Sequence, residues 1–267
     1  MNKLELAIGV FDSGMGGLTV LRALRNALPN ESFIYLGDTA RLPYGTKSPN
    51  TVQQYATQMA RLLVERNIKA LVIACNTATT AALTHLQTLL PDLPIIGVVE
   101  PGAMAAVAAT KSNKIVVLAT ETTIASNAYQ RLISEKIPSA TISGLACSLL
   151  VALAEEGMVD NEIARTTLNH YLVNFSNQDT VLLGCTHFPV FKPLIQKILP
   201  EGVRIVDSAD ATASALKKLL MQENLLHVNH NPTIEYLVTD SLTRFQKVGS
   251  LFLGENLKEA NLKLIDA

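Results

Sequence analysis

The sequence predicts an α/β protein made of two pseudo-symmetric lobes, each with a mainly parallel sheet. Short runs rich in Ile, Val and Leu recur along the 267 residues, with longer helix-like segments between them. This is the pattern of buried parallel strands connected by helices. The runs form two sets of four, and the third run of each set ends in a cysteine, Cys75 or Cys185. The length also suits two domains of ordinary size.

The two sets of apolar runs indicate an internal duplication. The first contains "LAIGVFDSG", "SFIYLGDT", "KALVIACNTA" and "PIIGVVEPG", and the second contains "NKIVVLATET", "ATISGLACS", "DTVLLGCTHF" and "VRIVDSADA". Between the strands, "TVQQYATQMARLLVERN" carries apolar residues at helical spacing: Val52, Tyr55, Met59, Leu62 and Leu63. Ser48 or Asn50 is a suitable N-cap for that helix.

The C-terminal part of the chain predicts elements that complete the first lobe. "ADATASALKKLLMQENLL" has the pattern of a helix, and "TIEYLVTD" and "VGSLFLG" follow it. These last pieces are too short to form a domain alone, so we expect them to pack back on the first lobe. The expected division is residues 1–98 plus 210–267 for the first lobe and 99–209 for the second.

Polar residues stand at the carboxyl ends of the predicted strands, where ligands bind in doubly wound sheets. They are Asp12, Ser13, Asp38, Cys75, Asn76, Thr77, Glu100, Thr120, Cys147, Cys185, Thr186, His187 and Asp207. If the two lobes face each other, Cys75 and Cys185 meet from opposite sides. The active site is therefore expected in the cleft between the lobes.

Composition excludes several classes of protein. Hydrophobic residues make up 48% and charged residues 17%, which supplies a large core and argues against disorder. The net charge is −1 and no dense block of Lys or Arg occurs, so nucleic acid is not an expected partner. No apolar run approaches the ~20 residues of a membrane span. The start, "MNKLELAIGVFDSG", lacks the features of a signal peptide, and a cytoplasmic protein is expected.

The cysteines allow several interpretations. Three cysteines do not make a disulfide framework, and in a reducing compartment they are free thiols. One cysteine after an apolar run is usually a small buried hydrophobe, and Cys147 is interpreted that way. Cys75 and Cys185, each followed by polar residues, favour a working pair. A hydrolase built on Cys185 and His187 would leave Cys75 unexplained.

A zinc site is the other alternative, since Cys185 and His187 are both possible ligands. The sequence has no C-x-x-C or H-E-x-x-H spacing. The remaining histidines fall on predicted helices or in the tail: His85, His170, His227 and His230. No metal site is expected.

Three further segments carry weaker signals. "DSGMGG", Asp12 to Gly17, lacks the spacing of nucleotide-binding loops and predicts a tight turn whose N–H groups can hold a small carboxylate. "ARLPYGTKS", residues 40–48, is a Pro/Gly-rich loop, either a surface turn or one that folds over a ligand. Glu155 and Glu156 beside a glycine are typical of a solvated helix end.

Five motifs in order resemble glutamate racemase, within the cofactor-independent aspartate/glutamate racemase superfamily. They are "GVFDSGMGGLTV", "GDTARLPYGTKS", "IACNTATT", "VVEPG" and "LLGCTHFP". The form "GCTH" is closer to glutamate racemases than to their aspartate-acting relatives, which have "GCTE". One departure is "CSLLVALAEEG", with Ser148 and Ala152 where the family commonly has proline, which bears on the setting of Glu155.

The resemblance implies a racemase that needs no cofactor and no metal and supplies D-glutamate for peptidoglycan. It implies that Cys75 and Cys185 are the acid/base pair and that His187, Asp12 and Glu155 assist them in catalysis. The implied glutamate-binding residues are Asp12, Ser13, Pro43, Tyr44, Gly45, Asn76, Thr77, Thr186 and His187. It also implies a homodimer.

A thiol pair suits racemisation, which removes an α-proton and returns one to the opposite face. A free cysteine has a pKa of about 8.5, so either partner can act as base or acid near neutral pH. Two rivals remain open at this point. One is a sister racemase acting on aspartate or a hydantoin with the same cysteines, and the other is a two-lobed protein that binds an amino acid without turnover.

Overall fold

The computed structural model describes residues 3–227 and 231–266 and contains two parallel β-sheets flanked by helices. The strands are β1 Ile8–Asp12, β2 Phe33–Gly37, β3 Ala70–Ile73, β4 Ile95–Gly97, β5 Lys114–Ala119, β6 Thr141–Ala146, β7 Thr180–Gly184, β8 Arg204–Asp207, β9 Ile234–Val238 and β10 Leu262–Leu264. The helices are α1 Leu18–Ala27, α2 Pro49–Val64, α3 Asn76–Leu89, α4 Val99–Ala109, α5 Glu121–Ala125, α6 Ala128–Lys136, α7 Leu149–Glu155, α8 Glu162–Tyr171, α9 Lys192–Ile198, α10 Ala209–Gln222 and α11 Leu242–Leu253.

The two sheets repeat one strand order, which confirms the predicted α/β fold with two similar halves. The first sheet runs β10-β9-β2-β1-β3-β4 and the second runs β6-β5-β7-β8, with every pairing parallel. The four strands from the first half therefore stand in the same relative order as the four from the second. The strands that lead to Cys75 and Cys185, β3 and β7, are inner strands of their sheets. Parallel strands place their carboxyl ends at one edge, and both cysteines lie at such an edge.

Helix α2 begins and buries one face much as its sequence pattern predicts. Ser48 is the N-cap, and its Oγ accepts a hydrogen bond from the Thr51 N–H at 3.3 Å. Pro49 follows in the first turn, where its missing N–H costs nothing. The fully buried face consists of Val52, Ala56, Met59, Ala60 and Leu63, while Tyr55 and Leu62 are only partly buried.

The C-terminal segment returns to the first sheet, as predicted. Strand β9 pairs with β2 and β10 pairs with β9, so both extend that sheet at one side. The stretch "VGSLFLG" forms the end of α11, which packs against α1 and β10. Helix α10 packs against both α1 and α4 and so lies where the chain crosses back. We propose, on this arrangement, that the first lobe comprises residues 1–98 plus 210–267 and the second 99–209.

One of the apolar clusters spans both lobes. A continuous cluster of buried side chains includes Val10 of β1 and Leu21 of α1, and it extends to Leu118 of β5, Leu150 of α7 and Phe252 of α11. The lobes are therefore packed together on hydrophobic surface, the main favourable contribution to folding. Within residues 3–227 and 231–266, no helix combines the length and apolar composition that crossing a bilayer requires.

A buried ion pair fastens the amino-terminal edge of the first sheet. Lys69 is fully buried and its Nζ lies 2.5 Å from Oε2 of the buried Glu31. The same ammonium donates to the carbonyl oxygens of Leu4 at 2.8 Å and Leu225 at 2.9 Å. Glu31 Oε1 accepts the backbone N–H of His227 at 2.8 Å. These bonds join the start of the chain to the segment that follows α10.

We expect the Lys69→Met substitution to lower the free energy of unfolding by about 3–5 kcal/mol, because it leaves the Glu31 carboxylate buried without its cation. Urea denaturation measures this. The matched control is Lys197→Met, which breaks an exposed pair with Asp160 and should cost less than about 1 kcal/mol. Equal losses for the two variants would contradict a specific role for the buried pair.

Candidate active site between the lobes

The carboxyl ends of the two sheets enclose a small cavity. Its volume is ≈ 20 Å³, room for about one water molecule. The lining residues come from both lobes: Ser13, Leu42, Pro43, Tyr44, Gly45, Cys75, Asn76, Thr77, Thr120, Val151, Cys185, Thr186 and His187. A ligand as large as an amino acid therefore enters only when the surrounding segments move apart.

Cys75 reaches the cavity from the first lobe as the N-cap of α3. Its Sγ accepts the Ala78 N–H at 3.4 Å and lies 3.5 Å from Ser13 Oγ. The side chain is buried. Burial, and to a smaller extent the nearby Asp12 charge, raise the pKa of the Cys75 thiol to about 12, although the two hydrogen bonds lower it. Cys75 is thus a protonated thiol near neutral pH.

Cys185 reaches the cavity from the second lobe, directly after β7. Its Sγ lies 3.9 Å from Nδ1 of His187, and Nε2 of His187 lies 2.6 Å from Oε1 of Glu155. All three side chains are buried. Burial lowers the pKa of His187, but hydrogen bonds to Cys185 and Glu155 and their negative charges outweigh it and raise the pKa to about 10. An imidazolium beside a cysteine stabilises the thiolate.

Asp12 lies behind the cavity wall and holds the turn after β1. Its carboxylate accepts the Gly14 N–H at 3.0 Å and the Thr186 hydroxyl at 3.4 Å, and the Gly17 N–H also donates to it. Burial raises the pKa of Asp12, with a smaller contribution from Glu155, against the effects of His187 and the two N–H groups. The turn in "DSGMGG" therefore uses two of its N–H groups to bind the protein's own carboxylate.

The structure brings together all the residues predicted for the site, in two layers. Ten line the cavity: Ser13, Pro43, Tyr44, Gly45, Cys75, Asn76, Thr77, Cys185, Thr186 and His187. Asp12 and Glu155 form the layer behind, contacting Thr186 and His187 respectively. Asn76 Oδ1 is buried without a hydrogen-bond partner among the described residues, so this oxygen is available to a ligand.

Glu155 departs from the solvated helix end that its sequence predicts, whereas Glu156 fits it. Glu155 is 4% exposed because α7 directs it inward to His187, and Glu156 lies outside, paired with Arg244 at 2.9 Å. The prediction was wrong for Glu155 because burial follows from the partner His187, which is distant in sequence. Ser148 and Ala152 leave α7 intact up to Glu155.

The loop at residues 40–48 is tied to both lobes. Tyr44 donates its hydroxyl proton to Oδ2 of the buried Asp38 at 2.5 Å. The hydroxyl of Thr122, on α5, contacts the carbonyl oxygens of Gly45 at 2.9 Å and Lys47 at 3.1 Å. A Cβ on Gly45 would overlap the side chain of Thr120, so only glycine allows this approach. The loop therefore folds over the cavity.

Hydrogen bonds between side chains cross from one lobe to the other, and sequence reasoning did not anticipate their second-lobe partners. Asn76 Nδ2 donates to the Tyr129 hydroxyl at 2.7 Å. The Thr77 hydroxyl bonds those of Thr120 at 2.9 Å and Thr123 at 3.3 Å. Of these partners only Thr120 carried a signal, its place at the end of a strand. Tyr129 and Thr123 lie on α6 and α5, whose sequences contain nothing that indicates a site.

Other candidate residues lie outside the site. Cys147 is fully buried in the apolar core, and its thiol donates to the Leu145 carbonyl at 3.4 Å. Within the described part of the chain, no three His, Cys, Asp or Glu side chains form a group suited to a metal ion. His230, one of the histidines considered for zinc, lies outside the described residues.

Comparison with known proteins identifies the family. Residues 8–216 match the family described as Asp/Glu/Hydantoin racemase. A glutamate racemase of Geobacter metallireducens is 48% identical over 94% of this chain and 94% of its own. Among solved structures, glutamate racemase of Francisella tularensis in complex with D-glutamate is 38% identical, with a TM-score of 0.91 and 98% of each chain covered. The Escherichia coli enzyme, in complex with L-glutamate and activator UDP-MurNAc-ala, is 30% identical, with a TM-score of 0.78 and 94% of each chain covered.

These matches cover nearly all of the chain and include the strands and loops that line the cavity. The chain belongs to the Asp/Glu/Hydantoin racemase family and is an isomerase. Curated relatives that match at 42–48% identity are glutamate racemases.

The His187 imidazolium should make the stability of the protein depend on pH. The pKa of His187 is about 10 in the folded chain and about 6.5 in an unfolded one. Its stabilising effect is therefore complete below about pH 6.5 and is lost as the pH rises towards 10. We expect wild type to lose more than about 1 kcal/mol of unfolding free energy over this range, relative to His187→Asn.

Urea unfolding at several pH values measures this difference, with His170→Asn, an exposed position on α8, as the control substitution. The control should follow the wild-type pH dependence. Parallel curves for wild type and His187→Asn would contradict the raised pKa.

Proposed function

We propose that this enzyme interconverts L-glutamate and D-glutamate by a two-base mechanism, with Cys75 and Cys185 acting on opposite faces of the α-carbon. The observation that supports this best is that two buried thiols, from equivalent strands of the two lobes, reach one cavity from opposite sides. One base on each face removes the need to turn the intermediate over. The reaction as proposed uses protein groups alone, without a metal or an organic cofactor.

The surroundings of the two thiols suit complementary starting states. Cys185 has His187 beside it, with Nδ1 3.9 Å from its sulfur, and would accept the α-proton of L-glutamate. The high pKa of Cys75 keeps its thiol protonated and able to donate to the other face. After one turnover the protonation states are exchanged, and the enzyme is ready for D-glutamate. Asp12 would assist at Cys75, and Glu155 would assist at Cys185 by holding His187.

The remaining polar groups of the cavity would bind and polarise the substrate. Hydroxyl and amide groups of Ser13, Asn76, Thr77 and Thr186 lie around it, with Pro43, Tyr44 and Gly45 on the covering loop. Donors aimed at the α-carboxylate stabilise negative charge that develops when the α-proton leaves. Closure of the loop over the substrate excludes water, which strengthens these interactions.

Similarity to the relatives supports glutamate, not aspartate or a hydantoin, as the substrate of this enzyme. The related Francisella structure contains D-glutamate and the Escherichia coli structure contains L-glutamate. The "GCTH" sequence, Gly184 to His187, agrees with them, because this form resembles glutamate racemases more than their aspartate-acting relatives. We further propose that the product D-glutamate serves peptidoglycan synthesis, that the enzyme acts in the cytoplasm, and that it forms a homodimer as its family resemblance implies.

Purified protein should racemise L-glutamate, followed as loss of circular dichroism, and should act at least about 10²-fold more slowly on L-aspartate and on a hydantoin. Cys75→Ser and Cys185→Ser should each lower kcat by at least about 10²-fold, because a serine hydroxyl is too weak a base to replace a thiolate. Cys147→Ser, a matched substitution at a third buried thiol, should keep most of the activity.

Preferred turnover of aspartate or a hydantoin would identify a sister activity, and glutamate binding without turnover would identify a binding protein. Robust racemisation by Cys75→Ser or Cys185→Ser would refute the paired roles.

Reaction in deuterated water should distinguish two bases from one. The thiol that reprotonates the carbanion has exchanged with solvent, so D-glutamate formed from L-glutamate should carry deuterium from the first turnover. L-Glutamate remaining at low conversion should stay unlabelled, because Cys185 returns the hydrogen that it removed. Mass spectrometry of both enantiomers measures this. Mainly unlabelled D-glutamate, or label entering L-glutamate as fast as product, would contradict the assignment.

A further inference from the structure

We propose that α11 positions the Glu155–His187 pair, and that Arg244 and Phe252 are positioning residues for proton transfer at Cys185. The inference rests on the proposed function, since it concerns one of its two proton transfers. Helix α11 belongs to the C-terminal segment, whose strands β9 and β10 extend the first sheet. Glu155, at the end of α7, and Cys185 and His187, just after β7, belong to the second lobe. An element of one lobe thus supports the base of the other.

Arg244 holds the end of α7, where Glu155 is placed. Its Nη2 donates to the backbone carbonyl of Glu155 at 3.2 Å and to Oε1 of Glu156 at 2.9 Å. Carbonyl groups in the last turn of a helix lack partners within the helix, and a cation near them is favourable. The chain leaves α7 through Gly157, whose φ of +70° ends the helix. Arg244 therefore fixes the backbone from which the Glu155 side chain extends.

The carboxylate of Glu155 depends on that backbone for its direction. Oε1 bonds His187, whereas Oε2 is buried and has no hydrogen-bond partner among the described residues. Among the described residues, no second hydrogen bond would hold this carboxylate in place if the end of α7 shifted. A displacement of α7 is therefore transmitted to Nε2 of His187.

Phe252 confines the imidazole from another side. It is fully buried, and its ring meets that of His187 edge-to-face, with centroids 5.2 Å apart and planes at 78°. This is a favourable arrangement of two aromatic rings. The backbone of Gly16 approaches the imidazole closely, because a Cβ there would overlap Nδ1 of His187 and Oγ1 of Thr186. The ring is thus held by Gly16, Glu155 and Phe252 together.

Small movements of this ring matter because the sulfur contact is long. Cys185 Sγ and His187 Nδ1 are 3.9 Å apart, near the outer limit for a hydrogen bond to sulfur. A shift of a few tenths of an ångström away from Cys185 would break it. Since proton transfer depends steeply on the placement of the reacting groups, we expect the loss of either α11 contact to slow the step at Cys185.

Kinetic isotope effects test this, because they report which proton transfer limits turnover. The variants are Arg244→Met and Phe252→Leu, and the substrates are L- and D-glutamate deuterated at the α-carbon. In the L-to-D direction Cys185 removes the substrate deuteron, whereas in the D-to-L direction it delivers a proton from solvent. Each variant should lower kcat about 10-fold. The substrate isotope effect should rise with L-glutamate and fall with D-glutamate.

Two matched substitutions are the controls. Arg66→Met breaks a surface ion pair with Glu235, and Phe33→Leu removes a buried ring at the amino end of β2, opposite the cavity. Both should keep the wild-type ratio of the two isotope effects, even if Phe33→Leu lowers stability. Because Arg244 is half exposed, its variant should fold and carries the test if Phe252→Leu does not.

An unchanged ratio in Arg244→Met and in any folded Phe252→Leu would overturn the inference, whatever their activity, since a merely structural role lowers activity without shifting the limiting step. Absence of racemisation by the wild-type protein would overturn the proposed function, and this inference with it. The two failures are therefore distinguishable.

Discussion

The polar side chains at the boundary between the two sheets are buried, and the rest of the site depends on that constraint. A buried polar group without a partner is costly, so nearly all such groups in proteins are hydrogen-bonded. Here the partner lies in the opposite lobe: Asn76 bonds Tyr129, and Thr77 bonds Thr120. These buried groups therefore obtain their hydrogen bonds only when the two lobes pack together. The shared apolar cluster stabilises the same closed arrangement.

The two halves are alike in topology and unlike in electrostatics. Equivalent strands place Cys75 and Cys185 at the cavity, which gives the geometry of a pair. Cys185 has the imidazole of His187 beside it, whereas Cys75 caps the N-terminus of α3 and contacts Ser13. Identical surroundings would give two thiols in the same protonation state. The difference between the halves therefore allows one to donate while the other accepts.

The sequence could predict those features that follow from local pattern. Apolar runs located the strands, and the position of polar residues just after them located Cys75, Cys185 and most of the cavity lining. Contacts between residues distant in the chain were beyond this reasoning. Tyr129 lies on a helix of ordinary composition, and the burial of Glu155 depends on His187 and on the returning α11. The periodicity of apolar residues along the chain carries no information about such long-range contacts.

Because the cavity has a volume of only ≈ 20 Å³, the protonation state of the free enzyme in the proposed reaction depends on the turnover that came before. In the proposed reaction each turnover exchanges the protonation states of the two thiols, so each product leaves behind an enzyme ready for the enantiomer just released. Two forms of free enzyme then alternate, and resetting one to the other needs solvent. When substrate is abundant, this resetting competes with reversal of the previous turnover. The narrow cavity that protects the carbanion therefore makes the rate of net conversion depend on how often the empty cleft opens to solvent.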